Sequence, residues 1–313
     1  MNASSNLLGK VIAEIQHSPV FDDSKKTDFV HRLQQVESSA LNILFVSQSA
    51  ETKNAAINAM FPTIVLEENN KNIIPYQLNN LTLWDCPAWM TGSNSQTSLM
   101  MEIGALLDER DEYGQPLIDL VVTLADGSEN KPYAAFQMLC DHIISERDPA
   151  TRHQVVVAIN YGDVQHADEN NVFRLHAEKH KTDWPQQVHS ALQTAMKQRF
   201  GILAEAIEFE ADTYLDRPTN LLALYRAMFE ALPAEKAINL LNQDIEYRTN
   251  YWAYNTCLSD HMASFENTLF DYVWNKSLNG CRLDGRLGAF VGSNGEELGS
   301  ILQKNISHAL SIN

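Results

Sequence analysis

The chain has 313 residues, of which 44% are hydrophobic, and it carries a formal net charge of −17. A chain of this length and composition can bury a substantial core, which excludes global disorder and allows one large domain with an accessory region. The acidic charge argues against nucleic acid as the main partner, because a phosphate backbone would be repelled and no stretch dense in lysine or arginine offsets it.

Cysteine usage and hydropathy indicate the compartment. The four cysteines, Cys86, Cys140, Cys257 and Cys281, show no spacing typical of a disulfide framework or a metal site, which suits a reducing environment. The first residues have no signal-peptide pattern, and no window of eighteen apolar residues occurs. We therefore expect a cytoplasmic protein with no transmembrane segment.

The first forty residues show helical spacing. A first helix is predicted from Leu7, Leu8, Val11, Ile12 and Ile15, which recur at steps of three and four. The segment VFDDSKKTDF then interrupts the pattern. A second helix is predicted to begin near Phe29 and to end near Ser39.

From Leu41 onward, short apolar segments alternate with amphipathic ones. The predicted strands are LNILFV, LTLWD, LIDLVVTLA, QVVVAIN and AIEFEA, and the predicted helices are TKNAAINAMF, SLMMEIGALLDE, YAAFQMLCDHIISE, VHSALQTAMKQRF and NLLALYRAMFEAL. Continuous apolar strands separated by helices are typical of a parallel sheet that is covered on both faces. The sequence therefore predicts an α/β fold, a doubly wound and mostly parallel sheet, over residues 41–233.

The strand pattern ends after Leu232 and Pro233. Apolar residues at steps of three, four or seven over 235–277 predict one long helix or two stacked helices. The glycine-containing tail favours a turn followed by a short helix, the alternative being a helix that packs closely on a partner or a lipid surface. The sequence thus predicts three regions. Residues 1–40 form N-terminal helices, residues 41–233 form the α/β domain, and residues 234–313 form a helical C-terminal region.

Three segments follow three of the predicted strands, where a doubly wound sheet places its ligands. The first, SQSAETKN, has the length of a phosphate-binding loop of the form G-x-x-x-x-G-K-[ST]. Ser47 and Thr52 stand at the two glycine positions, Lys53 at the lysine, and Asn54 where a hydroxyl would hold Mg²⁺. With one of four defining residues present, this segment alone predicts nothing.

The other two segments are DCPAW and NYGD. Asp85 and Pro87 are the first and third residues of DCPAW, and Asn160 and Asp163 are the first and last residues of NYGD. Taken together, in this order and at the ends of these strands, the three segments resemble eroded motifs of the TRAFAC-class GTPases. The likeness is to the bacterial Era-like group related to the YfjP-type GTP-binding proteins. It covers roughly residues 41–233, and the helix NAAINAMF supports it.

The resemblance implies a P-loop GTPase fold and assigns a role to each retained residue. Asp85 would bind the magnesium shell, with Asn54 as the second candidate for Mg²⁺. Asp163 would accept hydrogen bonds from guanine, and Asn160 would brace the loops. FEADTY stands where the family places a short segment that touches guanine. The implied ligand is therefore GTP or GDP with Mg²⁺, although the residues support no cofactor on their own.

The departures from the motifs predict that hydrolysis is impaired or lost. Thr52 is β-branched and resists the backbone conformations that glycine supplies. Glu51 would repel a triphosphate by up to about 4 kcal/mol if the two charges were about 4 Å apart at an effective dielectric near 20. Thr63 lies too near its helix to close over a γ-phosphate, and no residue is suited to orient the attacking water beyond Thr91, Ser93 or Asn94.

Two functions from different classes follow. The first is a pseudo-GTPase, a non-hydrolysing binding or regulatory module whose partner is a protein, either a GTPase relative or a second copy of the chain. The alternative is a divergent active GTPase that binds GTP or GDP weakly and needs a partner to complete its site. A dynamin-like remodelling protein is disfavoured by the short helical region and the acidic charge.

A metal site at His176 and His180 is a weaker possibility. The two residues stand four apart and would share one helix face, a spacing that can bind metal. No third ligand is evident, although His166 and His189 are near in sequence. A polar helix surface is the favoured interpretation.

Overall fold

The computed structural model of the chain describes the sheet and much of its helical surroundings. The described residues are 6–61, 64, 66, 72–88, 94–126, 154–160, 207–211, 218–243, 257–274 and 292–310. The helices predicted at 133–146 and 188–200 lie outside them.

Six strands of the described residues form a sheet at the centre of the fold. Its strands are β1 (Leu41–Ser47), β2 (Ile74–Leu78), β3 (Leu81–Asp85), β4 (Leu120–Asp126), β5 (Val155–Asn160) and β6 (Ile207–Phe209). Their order is β2-β3-β1-β4-β5-β6, and every pairing is parallel except that of β2 with β3. The chain passes from β1 first to one side of the sheet and then to the other, so the predicted doubly wound, mostly parallel α/β fold is confirmed.

Helices cover both faces of this sheet. The described helices are α1 (Leu7–His17), α2 (Asp23–Glu37), α3 (Ala50–Met60), α4 (Asn94–Asp108), α5 (Leu221–Ala231), α6 (Ala234–Leu241), α7 (Leu258–Trp274) and α8 (Gly292–Ala309). None of those helices is long and apolar enough to cross a membrane. On one face, α3 and α5 share a core with Ile43, Phe45 and Val122, and on the other α4 packs on Leu44 and Val121. Burial on both sides explains why the central strands read as continuous apolar runs.

The helices from the two ends of the chain pack against each other. α1 contacts both α2 and α8, and α8 contacts α7. The Ser18 hydroxyl donates to the Glu297 carboxylate at 2.7 Å, and the Lys304 ammonium donates to that of Glu14 at 2.8 Å. The core of this helical layer is continuous with the sheet face under α5, where the Phe265 ring on α7 meets the Phe229 ring edge-on at 4.9 Å.

Two helical boundaries differ from the sequence prediction. α2 begins at Asp23 rather than near Phe29, because Asp22 caps it by accepting from the Lys25 N–H. The first turns of α2 are polar and exposed, so they left no apolar spacing to detect. The tail contains an 18-residue helix, longer than the predicted short one, which runs through Gly295 and packs within the chain on α1 and α7.

Within 235–277, where one long helix or two stacked helices were predicted, the described residues form two helices, α6 and α7. Pro233 precedes the first turn of α6, where a missing N–H costs nothing. Lys236 on α6 donates to the Ala40 carbonyl and lies 3.3 Å from the Asp119 carboxylate. Asp119 also accepts from the Asn42 N–H at 2.8 Å, so α6 is tied to the amino-terminal ends of β1 and β4.

A hairpin joins β2 to β3 and was not predicted. Its turn is Asn79-Asn80, and Asn79 has a φ of 47°, in the left-handed region. Asparagine tolerates this region because its short side chain crowds the backbone less than a branched one does. β2 is the edge strand, and Pro75 removes one of its N–H donors.

We expect Asn79→Val to lower the free energy of unfolding by about 1–2 kcal/mol, because a β-branched side chain at positive φ is strained. Asn79→Gly is the matched control and should change stability by less than about 0.5 kcal/mol, since glycine adopts this conformation freely. Urea denaturation of the three proteins tests the prediction. Equal losses in both variants would contradict it.

Glu266 on α7 gives the folded protein a pH dependence. Burial raises its carboxyl pKa from 4.5 to about 7. The folded state then holds a proton that the unfolded state has lost between pH 4.5 and 7, so this residue's contribution to stability falls as the pH rises through that window. We expect Glu266→Gln to stabilise the protein above pH 7 by about 1 kcal/mol, a figure reduced for the water that reaches this part-exposed carboxyl. Chemical denaturation at pH 5 and pH 8 checks it, and an equal effect at both would contradict it.

Candidate functional site

The carboxyl ends of the parallel strands bring the predicted site residues to one edge of the sheet. Asp85 ends β3 opposite Phe45 of β1, and Ser47 ends β1 opposite Leu124 of β4. Asn160 ends β5 opposite Asp126, the last residue of β4. Side chains alternate along a strand, so these strand-end residues all lie on the face that α3 covers.

A two-residue turn connects β1 to α3. The Ser47 hydroxyl accepts from the Ser49 N–H at 3.2 Å, and the Ser49 hydroxyl accepts from the Thr52 N–H at 3.1 Å. The helix therefore begins at Ala50, and only Gln48 and Ser49 lie outside regular structure. A phosphate loop of eight residues needs several free N–H groups that converge on one point. Here the second half of the segment is helical, and the Thr52 N–H is used by the cap.

The two predicted glycine positions are buried serine and threonine. Ser47 is fully buried, and Thr52 is 1% exposed. The Thr52 hydroxyl and the Gln48 side-chain carbonyl are both buried, and within the described residues neither has a hydrogen-bond partner. Glu51, on the same turn of α3, is exposed, so water screens its charge.

Lys53 points into the protein and forms an ion pair with Asp85. The two side chains are 3% and 1% exposed, and the ammonium donates to the carboxylate. It also donates to the side-chain carbonyl of Asn54 at 3.2 Å. Two charges removed from water need each other, because a buried charge without a partner is strongly destabilising. The lysine expected to meet a phosphate is thus neutralised by the chain itself.

The two residues predicted to hold Mg²⁺ bind this ammonium instead. Carboxylate and amide oxygens suit Mg²⁺ chemically, but one carboxylate oxygen of Asp85 and the side-chain carbonyl of Asn54 both accept from Lys53. Among the described residues, no group of three or more histidine, cysteine, aspartate or glutamate side chains is placed to hold a metal ion. In this arrangement, one Asp85 oxygen and the Asn54 oxygen are used by Lys53.

Cys86 follows Asp85 in the same buried environment. Burial raises the pKa of its thiol, an effect that the nearby Lys53 ammonium only partly opposes. A thiol held in its neutral form is a poor nucleophile and a poor metal ligand. Cys86 therefore serves as a small core residue.

Asn160 connects β5 to the segment after β6. Its side-chain amide donates to the Ala211 carbonyl at 2.7 Å and accepts from the Ala211 N–H at 2.9 Å. Asn160 is 3% exposed, so these bonds satisfy backbone groups that water cannot reach. This geometry makes Asn160 a brace between the end of β5 and the segment after β6.

Other predicted residues lie outside the described part of the chain. They are Asp163 with the rest of its segment after Asn160, Thr63, Thr91, Ser93, and the histidines His166, His176, His180 and His189. Asn94 begins α4. The predicted contact between Asp163 and guanine therefore lies outside the described residues.

Asp126 is the strand-end residue that the sequence prediction missed. It is half-buried and stands beside Asn160 in the parallel register. Inspecting the residue after each predicted strand would have found it, since it follows LIDLVVTLA directly. It adds a second carboxylate, after Asp85, to the edge where an anionic ligand would enter.

Comparison with known proteins gives a likeness of fold to solved GTP-binding proteins. Neither a protein-family model nor a curated protein matches the sequence. The chain is similar to a probable GTP-binding protein engB at 18% identity, covering 61% of this chain and 97% of that one, with a TM-score of 0.35. It is also similar to Toc33 from Arabidopsis thaliana in complex with GDP and Mg²⁺, at 12% identity over 77% and 98% of the two chains, with a TM-score of 0.39.

A third similar structure is the LeoA bacterial dynamin GTPase from ETEC. The identity is 12%, the likeness covers 75% of this chain but 44% of that one, and the TM-score is 0.37. Values this low assign neither an activity nor a ligand to the chain.

Proposed function

We propose that the protein is a non-hydrolysing, GTPase-like binding module that acts through contacts with another protein. The observation that carries the proposal is the buried pair of Lys53 and Asp85. A lysine that neutralises a phosphate must be free to do so, whereas this one is held by a carboxylate from the next strand.

The surrounding residues support the same proposal. The Asn54 carbonyl accepts from the same ammonium, so the two residues expected at Mg²⁺ both bind Lys53. The Ser47 and Ser49 hydroxyls accept from the Ser49 and Thr52 N–H groups, so fewer backbone N–H groups remain to cradle a phosphate.

The alternative is a divergent GTPase whose site is completed by a partner. Its support is that the buried Thr52 hydroxyl and Gln48 carbonyl have no hydrogen-bond partner within the described residues. Such groups are costly unless something else satisfies them in a second state. A partner that draws Asp85 away from Lys53 would release the ammonium for a phosphate.

A nucleotide titration tests the proposal. Fluorescent GTP, GDP and ATP are titrated into the protein with and without Mg²⁺, and phosphate release is followed for hours. We expect no saturable binding below a Kd of about 1 mM, equivalent to about −4 kcal/mol. The control is the variant Lys53→Met with Asp85→Leu, which lacks the ammonium. Micromolar, guanine-selective binding that disappears in this variant would establish the alternative.

A further inference from the structure

A groove lies between α4 and the β2–β3 hairpin, on the face of the sheet that α3 does not cover. Its volume is about 450 Å³, within the range of pockets that bind ligands or side chains. Its apolar wall consists of Ile73, Trp84, Ala105 and Leu106. Because α4 covers only part of the sheet here, Trp84 and Ile73 remain half-buried.

The Trp84 ring is fixed by a hydrogen bond at its edge. Its indole N–H donates to the Asn42 side-chain carbonyl on β1 at 3.0 Å. This bond uses the polar atom of the ring and leaves carbon surface toward the groove. An indole face is both an apolar surface and the best aromatic partner for a cation.

Three carboxylates form the rim of the groove. Glu102, Asp108 and Glu109 are exposed and line it from the α4 side, and the described lining contains no lysine or arginine. A basic side chain could therefore place its apolar stem on Trp84 and its charge among these carboxylates.

Two exposed apolar side chains belong to α4 and to the turn that follows it. Met101, on α4, is 72% exposed, and Tyr113, in the turn after α4, is 79% exposed. The third exposed large hydrophobic side chain among the described residues, Val20, is only 40% exposed. Methionine and tyrosine are enriched at protein interfaces because each offers adaptable or amphipathic contact area.

We propose that this α4 groove docks a segment of a partner protein in which arginine or lysine alternates with apolar residues. The inference rests on the proposed function as a binding module and names the chemistry of its partner. The apolar wall accepts the uncharged residues, and the carboxylate rim accepts the basic ones. The net charge of −17 also steers a basic partner toward this surface.

A second copy of the chain fits the groove less well. A two-fold contact through this face would bring its carboxylates against their own copies, which costs energy unless they are neutralised. The rim also does not gather three ligands for a metal ion, since the described chain has no such group. A basic segment satisfies both the charge and the apolar wall.

The test uses a fluorescein-labelled twelve-residue peptide that alternates arginine and leucine, with fluorescence anisotropy as the readout. The groove variant carries Glu102→Gln, Asp108→Asn and Glu109→Gln. The matched control carries Asp28→Asn, Glu235→Gln and Glu296→Gln, which remove the same charge from exposed sites on other helices. A second variant, Ala105→Trp, fills the groove from an exposed helix position without changing the charge.

We expect the groove variant and Ala105→Trp each to weaken peptide binding at least tenfold, and the control less than threefold. Equal losses in the groove variant and the control would mean that acidity alone attracts the peptide, and would overturn the proposal. So would the absence of binding to the wild-type protein, or binding that Ala105→Trp leaves intact. Wild-type self-association that Ala105→Trp abolishes would assign the groove to a second copy instead.

The nucleotide titration separates this inference from the function on which it rests. Specific peptide binding together with guanine-selective nucleotide binding would leave the groove established and the pseudo-GTPase reading wrong. If the groove variants bind the peptide as the wild type does and no nucleotide binds, the groove proposal is wrong and the pseudo-GTPase proposal stands. Neither result depends on the other.

Discussion

Lys53→Met is expected to lower the free energy of unfolding by about 3–5 kcal/mol, because it leaves the Asp85 carboxylate buried without its counter-charge. Lys53 and Asp85 are 2% and 1% exposed, so water cannot replace the lost partner. The double variant Lys53→Met with Asp85→Leu removes both charges and should recover most of the loss. Denaturant unfolding of the two variants and the wild type gives the three free energies.

The exposed pair of Lys304 and Glu14 provides the matched control. Its side chains are 70% and 34% exposed, so Lys304→Met should cost less than about 1 kcal/mol. If Lys53→Met costs no more than this control, the buried pair is not a structural contact and Lys53 is available for a ligand. If the double variant is as unstable as the single one, the loss comes from packing rather than from an unpaired charge.

The fate of Lys53 could not be predicted from its motif. The segment SQSAETKN indicates a lysine at the start of a helix, and such a lysine is compatible with solvent, with a phosphate, or with an internal carboxylate. The choice depends on Asp85, which is 32 residues away in sequence and becomes a neighbour only when β1 and β3 pair. The sequence order did predict that both residues come to the same sheet edge, because parallel strands end together.

The strand-helix alternation was predictable because its signal is local. Strands β1, β4 and β5 are buried on both faces and appear as unbroken apolar runs. Strand β2 was missed because it is a half-exposed edge strand that contains Pro75. The Asn79-Asn80 turn between IIPYQL and LTLWD was the available signal for a hairpin.

The packing of α1, α2, α7 and α8 was harder to predict, because contacts between residues far apart in sequence define it. Leu8 near the start of α1 donates its N–H to the Asn242 side chain at 2.9 Å, across 234 residues. Apolar spacing predicted helices at both ends of the chain but not that α1 and α8 pack together. Nothing in the spacing distinguishes a tail that meets its own chain from one that meets a partner.

Substitution of Asn160 is expected to have the second large effect on the free energy of unfolding. Asn160→Ala should lower the free energy of unfolding by about 2–4 kcal/mol, because both backbone groups of Ala211 would lose their buried partner. Asn160→Asp keeps the acceptor for the Ala211 N–H but turns a carboxylate oxygen toward the Ala211 carbonyl. Burial and that carbonyl favour the protonated acid, whose O–H can donate in place of the lost amide.

The aspartate variant therefore has a pH signature that a simple loss of packing lacks. Its folded-state pKa should lie above the unfolded value, so its deficit is small below the unfolded pKa and grows as the pH rises through the folded one. Asn79→Asp adds the same charge at an exposed turn and should show no such growth. Urea unfolding of both variants from pH 4 to pH 8 compares them. A deficit at Asn160 that does not change with pH would mean that its amide does not hold the Ala211 carbonyl, and the brace between β5 and the segment after β6 would have to be assigned to other contacts.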